Sequence, residues 1–106
     1  MSHVNVPTEA VKIVQDMQSR NLPVAAQNGG VLVLDAAGAL KGRNYAIAPE
    51  LKSFVHNDQD GVLKGTGVVQ DGDIVTSGVC PYYSQGSGLK DGTDELVTTF
   101  AAMLKK

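Results

Sequence analysis

The apolar positions change their spacing several times along the chain, and each change marks a new element. Ala10, Ile13, Val14 and Met17 fall at i, i+3, i+4 and i+7, with Lys12, Gln15, Asp16 and Arg20 elsewhere, which is the one-sided pattern of an amphipathic helix. Pro7-Thr8 reads as its start, with Thr8 as N-cap and Glu9 suited to the positive end of the dipole, and Asn21 reads as its end. Pro23 then opens a short apolar run, Val24-Ala25-Ala26, of strand length. Gln27-Asn28-Gly29-Gly30 breaks that run where a chain leaving a sheet must reverse, and glycine tolerates the positive φ that such a corner needs. Val31, Leu32, Val33, Leu34, Ala36, Ala37, Ala39 and Leu40 follow with almost no polar interruption, as expected of a helix buried under a sheet and weakened or ended at Gly38. The rest of the chain is organised around this strand, turn and helix, whose apex is Asn28.

Beyond the corner, Gly42-Arg43-Asn44 leads to a short strand, Tyr45-Ala46-Ile47. Pro49 sits well at a first helical position, and Glu50 to His56 predicts about two turns of helix with Leu51, Phe54 and Val55 inward. Asn57 to Gly61 is a polar loop. Val68-Val69-Gln70 and Ile74-Val75-Thr76 flank Asp71-Gly72, which predicts a hairpin with a type I′ turn. Gly78 to Gly92 is rich in Gly and Ser and reads as a long surface loop. Asp91 or Thr93 can cap a last helix in which Leu96, Val97, Phe100, Met103 and Leu104 form an apolar stripe, and Lys105-Lys106 suits its negative end. Alternating helices and strands predict a layered α/β unit with parallel strands plus one antiparallel hairpin, and with Val24 to Ala26 as a central parallel strand.

Composition narrows the function. With 106 residues and 42% hydrophobic content the chain is one domain at most, with a modest core. A net charge of −2 with no basic cluster speaks against a nucleic-acid surface. No apolar run approaches the ~20 residues needed to cross a bilayer, and the first residues lack the features of a signal peptide, so no membrane partner and a cytoplasmic location are the expectations. The single Cys80 forms no internal disulfide, and it, His3 and His56 are too few and scattered for a metal site.

Two segments carry a family resemblance. Pro23-Val24-Ala25-Ala26-Gln27-Asn28-Gly29-Gly30, the apolar helix, and Ala37-Gly38-Ala39-Leu40-Lys41-Gly42-Arg43 resemble the nucleophile elbow of the ThiJ/PfpI superfamily, the class I glutamine amidotransferase-like proteins. Val69 to Ser77 resembles that family's V-x-D-G-N-(L/I)-(V/I)-T-S hairpin. The resemblance covers the chain from about Ala10 to its end and implies the C-terminal half of a flavodoxin-like three-layer sandwich, a partial α/β domain. It also implies cysteine hydrolase or amidase chemistry with no cofactor. The position of the nucleophilic Cys holds Asn28, the His that often follows it is Gly29, and the family's other common His position is Ala48. An elbow so altered predicts a pseudoenzyme. The resemblance leaves half a sheet, so a homo-oligomer or a second chain supplying the N-terminal half is the expected partner.

The candidate site residues admit both a chemical and a structural role. Asn28 either holds a ligand through its amide or simply tolerates left-handed backbone angles. Gly29 and Gly30 either leave N–H groups free as an anion hole or serve only the turn. Cys80 has no basic neighbour in sequence to activate it and reads more readily as a small hydrophobe. Tyr82 and Tyr83, with apolar bodies and polar tips, suit a ligand pocket or an interface. His56 suits a helix end, and the acids of Asp91-Gly92-Thr93-Asp94-Glu95 have the spacing of a helix cap. Two functions follow: a non-catalytic binding or assembly subunit, or part of an active intracellular protease, amidase or glyoxalase-type hydrolase whose nucleophile comes from elsewhere.

Overall fold

The structure is a computed structural model that describes residues 6–105, so His3 and Lys106 lie outside the described residues. Its centre is a three-stranded sheet in the order β1-β5-β4, formed by β1 (Val24–Gln27), β4 (Val69–Asp71) and β5 (Ile74–Ser77). β1 runs parallel to β5, with Val24 beside Ile74 and Gln27 beside Ser77, and β4 returns antiparallel. Alternation of side chains sorts the sheet into two faces. Val24, Ala26 and Ile74 join the larger core with Val14 of α1 (Thr8–Ser19) and Val31, Leu32 and Leu34 of α2 (Gly29–Ala36). Ala25 and Val75 face the other way, onto Leu96, Phe100 and Met103 of α4 (Thr93–Leu104). The result is a helix, sheet, helix layering of the flavodoxin-like kind.

Several expectations are corrected. β1 is an edge strand of this sheet and half-buried along its length, not a central one. The N–H groups of Val24 and Asn28 bond to the carbonyls of Asp73 and Ser77. By the alternation of a parallel ladder, Ala25 and Gln27 turn their backbone groups toward the open edge. Pro7, not Thr8, caps α1, and Ile13 is 60% exposed instead of packed inward. Of the α4 stripe, Leu96 and Met103 are buried, but Val97 and Leu104 are exposed. Gly92 caps α4, and Asp91 Oδ1 accepts from the N–H and hydroxyl of Thr93.

The strand expected at Tyr45-Ala46-Ile47 is shorter and earlier. β2 (Asn44–Tyr45) pairs parallel with β3 (Val62–Leu63), a strand the sequence pattern did not reveal. Ala46 and Ile47 are buried instead by side-chain anchoring, the Ala46 N–H donating to Thr76 Oγ1 at 2.7 Å. Pro49–Phe54 is a 3-10 helix, with Pro49 in its first turn as expected, while Val55 is already extended. The hairpin places Asp71 opposite Ile74, so Gly72-Asp73 form the turn. Positive φ falls on Gly72 (+60°) and not on Asp73, the requirement of a type II′ turn and not the expected type I′.

The segment expected as a long loop contains α3 (Pro81–Ser87). Pro81 occupies a first-turn position, Cys80 Sγ accepts from the Tyr83 N–H, and Gly88 ends the helix at φ +77°. Inside the otherwise apolar α2, Asp35 is buried, and its two carboxylate oxygens accept from the N–H groups of His56 and Asn57 at 2.9 and 2.8 Å. That pairing satisfies a buried charge and pins the end of the 3-10 segment to α2.

Candidate functional site

The parallel strands β1 and β5 end together, and the chain leaving each one builds the site. β1 ends at Gln27, and the next residue, Asn28, is 6% exposed and has φ 47°, ψ −107°, a conformation that non-glycine residues rarely adopt. Its N–H donates to Ser77 O at 2.9 Å and its carbonyl accepts from the Val31 N–H at 2.8 Å, so both neighbours of the corner hold it. The positive φ expected of the glycines falls on Asn28 alone. Gly29 and Gly30 are the first two residues of α2, and their N–H groups lack helical partners by position.

The Asn28 side chain is committed. Its Oδ1 accepts from the Ala48 N–H at 3.0 Å, joining the corner to the turn before the 3-10 helix. On the β5 side, Gly78 passes against Ile47 and Thr66, where a Cβ would lie 2.7 Å from Ile47 C, and its N–H donates to Thr66 O. This close passage brings Val79 and Cys80 round to the corner. Gln27 Nε2 donates to Ser77 Oγ and to Val79 O, both at 3.1 Å, and fixes that bend.

Cys80 is half-buried at the start of α3. The Tyr83 N–H, then the Asn28 side-chain amide and the Tyr82 N–H, hold its thiol below the usual thiol range, while burial opposes them. Asn28 and Cys80, 52 positions apart in the chain, thus meet at one point. Tyr83 lies beside Glu50, whose carboxylate raises the pKa of the phenol, and Tyr82 is 86% exposed. His56 is exposed at the far end of the 3-10 segment, away from this corner, and uses its N–H on Asp35. Ala48 is buried and contributes only its N–H. Among the described residues no group of His, Cys, Asp and Glu has the arrangement of a metal site, and no helix is long and apolar enough to cross a membrane.

Sequence reasoning singled out Asn28, Cys80 and Tyr83 separately but not their meeting, and it missed Glu50. The signal for α3 was Pro81 followed by Gly88, the spacing of a helix's first turn and its left-handed end.

A positive-φ residue at the tip of a parallel strand, followed at once by a buried helix, makes the sharp strand–turn–helix corner of an α/β protein. The sequence profile of the DJ-1/PfpI family matches residues 2–84, and the chain belongs to that family. Among solved structures it is similar to a Bacteroides thetaiotaomicron protein described as a candidate protease I, with TM-score 0.62 and 17% identity. That match covers 90% of this chain and 48% of the other, so the chain spans about half the length of this structural relative. No curated protein matches it significantly.

Proposed function

We propose that this chain is a DJ-1/PfpI-family member that works without catalysis at its elbow, as a binding or assembly unit. The observation that carries this reading is the engagement of Asn28: the residue in the nucleophile's place commits its side-chain Oδ1 to the Ala48 N–H. An amide is neither a thiol nor a hydroxyl, and neither Gly29 nor Ala48 supplies a base beside it. The test is hydrolysis of peptides, amides and small aldehyde adducts by the isolated chain, with no turnover above background expected. Asn28→Cys should gain reactivity toward iodoacetamide without turnover, because an acid/base partner is still lacking.

The assembly half of the reading rests on β1. Ala25 and Gln27 present backbone donors and acceptors to an open edge, flanked by Ile13, Val24, Ala26 and Val33 with no charged residue among those lining it. A polypeptide strand that continues the sheet past β1 fits this surface, and the relative of twice the length supports its presence. Sedimentation at low micromolar concentration checks it, and a cooperatively melting monomer counts against it.

One observation favours the hydrolase alternative. The Cys80 thiol sits against Asn28 with its pKa lowered, close to where an elbow nucleophile would act. If the unmodified chain turns over substrate and Cys80→Ser abolishes this, the displaced thiol carries the chemistry and the non-catalytic reading fails.

A further inference from the structure

Beside the elbow, a cleft of about 410 Å³ opens between α3 and the start of the 3-10 helix, lined by Glu50, Tyr82, Tyr83, Gln85, Gly86 and Ser87. Its position follows from the topology. It lies past the carboxyl ends of β1 and β5, where open α/β sheets take their ligands. Glu50 stands two residues after Ala48, which is bonded to Asn28, and Tyr83 stands three after Cys80, whose sulfur accepts its N–H. The cleft is therefore tied to the elbow on both walls.

Its lining carries a single formal charge, the carboxylate of Glu50. The ion pairs among the described residues are Arg20 with Asp16 and Lys52 with Asp58, so that carboxylate has no cation of its own there and its polar neighbour is the Tyr83 hydroxyl. Every other lining group is neutral. Tyr82 and Tyr83 bring two aromatic rings with electron-rich faces, Gln85 and Ser87 bring further acceptors, and Gly86 leaves open space, with nothing within 4 Å of where a Cβ would stand.

We propose that this cleft binds a guanidinium group, with Glu50 accepting its paired N–H donors and the rings of Tyr82 and Tyr83 flanking its plane. A guanidinium suits this lining better than a compact ammonium, because its flat fork pairs with one carboxylate side-on and stacks on aromatic faces at once. An anion would meet the Glu50 charge, and a neutral amide would leave it unanswered. The proposal stands whether or not the elbow is catalytic, since none of these side chains belongs to the corner itself. The guanidinium has two sources, a small guanidino compound or an arginine side chain on a peptide.

Titration of the isotope-labelled chain, followed by NMR of the tyrosine rings and the Gln85 side chain, tests this with ethylguanidinium, the neutral isostere N-ethylurea, and the tripeptide acetyl-Ala-Arg-Ala-amide. Ethylguanidinium should shift the Tyr82 and Tyr83 resonances saturably, with N-ethylurea at least about 10-fold weaker. Glu50→Gln should weaken the cation about 10-fold, and Tyr82→Leu about 3-fold. Both residues are exposed, and unchanged backbone spectra will report that the variants fold. A tripeptide tighter than ethylguanidinium identifies an arginine peptide as the ligand, and equal or weaker binding identifies a small guanidino compound. Equal binding of N-ethylurea, no effect of Glu50→Gln, or shifts confined to other parts of the chain would overturn the proposal.

Discussion

Asn28 Oδ1 and the Ala48 N–H lie 3.0 Å apart in the buried interior, and this bond joins the corner after β1 to the turn that opens the 3-10 helix. Removing the acceptor strands a buried donor, which costs about 1–3 kcal/mol. Asn28→Ala should therefore lower stability by about 2–3 kcal/mol, because alanine also tolerates φ 47° less well than asparagine. Asn28→Gly loses the same bond but relaxes the backbone, so urea unfolding should rank it between wild type and Asn28→Ala. The reverse ranking means that the strain is absorbed elsewhere.

Tyr45 and Asp58 give the stability a pH dependence. The Tyr45 hydroxyl donates to Asp58 Oδ2 at 2.5 Å, and this bond, with Lys52 3.5 Å away, lowers the Asp58 pKa against the opposing effect of burial. A carboxylate that ionises more readily when folded stabilises the fold above its unfolded pKa of about 3.9, and loses that contribution as pH falls below it. Tyr45 is shifted upward, first by burial and then by Asp58, so unfolding gains ground above about pH 10, where the unfolded phenol ionises and the folded one does not. Tyr45→Phe should cost about 1–3 kcal/mol at neutral pH, with the difference from wild type shrinking below pH ~4. Urea unfolding across about pH 2.5 to 7, a range that brackets the ~3.9 midpoint, measures it.

Gly78 marks a second point of sensitivity. Its missing Cβ would stand 2.7 Å from Ile47 C, 2.9 Å from Ile47 O and 3.0 Å from Thr66 Cα, all backbone atoms that cannot swing away. Gly78→Ala should cost about 2–4 kcal/mol by overpacking. It should also disturb Cys80, since the same passage carries the chain to the elbow. Chemical denaturation and Cys80 alkylation rates read the two effects. A neutral substitution would mean that β5 shifts to make room.

The Cys80 thiol should react with iodoacetamide along a pH profile whose midpoint lies below the ordinary thiol value, because backbone N–H groups and the Asn28 amide stabilise the thiolate. Asn28→Ala should move that midpoint upward, and Cys80→Ser should abolish labelling. An unchanged midpoint in Asn28→Ala would leave the Tyr83 and Tyr82 N–H groups as the whole cause.

The sequence carried the elbow because its signals are local: an apolar run, a break at Gln27 to Gly30 and a second apolar run suffice to place β1, Asn28 and α2. It did not carry the position of β1 in the sheet, since Val24-Ala25-Ala26 reads the same at an edge or a centre, and only pairing with β5 decides. β2 and β3, two residues each, are too short for any periodicity to register. Helix α3 was hidden by Ser and Gly in its interior, although Pro81 and Gly88 bracketed it. The meeting of Asn28 with Cys80 is a product of the Gly78 passage, a contact between segments far apart in the chain that no local pattern encodes.

The open edge of β1 has a consequence for how the isolated chain leaves its folded state. Natural edges are blunted by lysine, proline or a bulge within the strand, and Val24–Gln27 contains none of these. Warming that loosens α1 from the face of β1 leaves a short uncharged strand free to template further strands from neighbouring molecules. Heat denaturation of the isolated chain will then be a race between refolding and precipitation, with an apparent melting point that depends on scan rate and protein concentration.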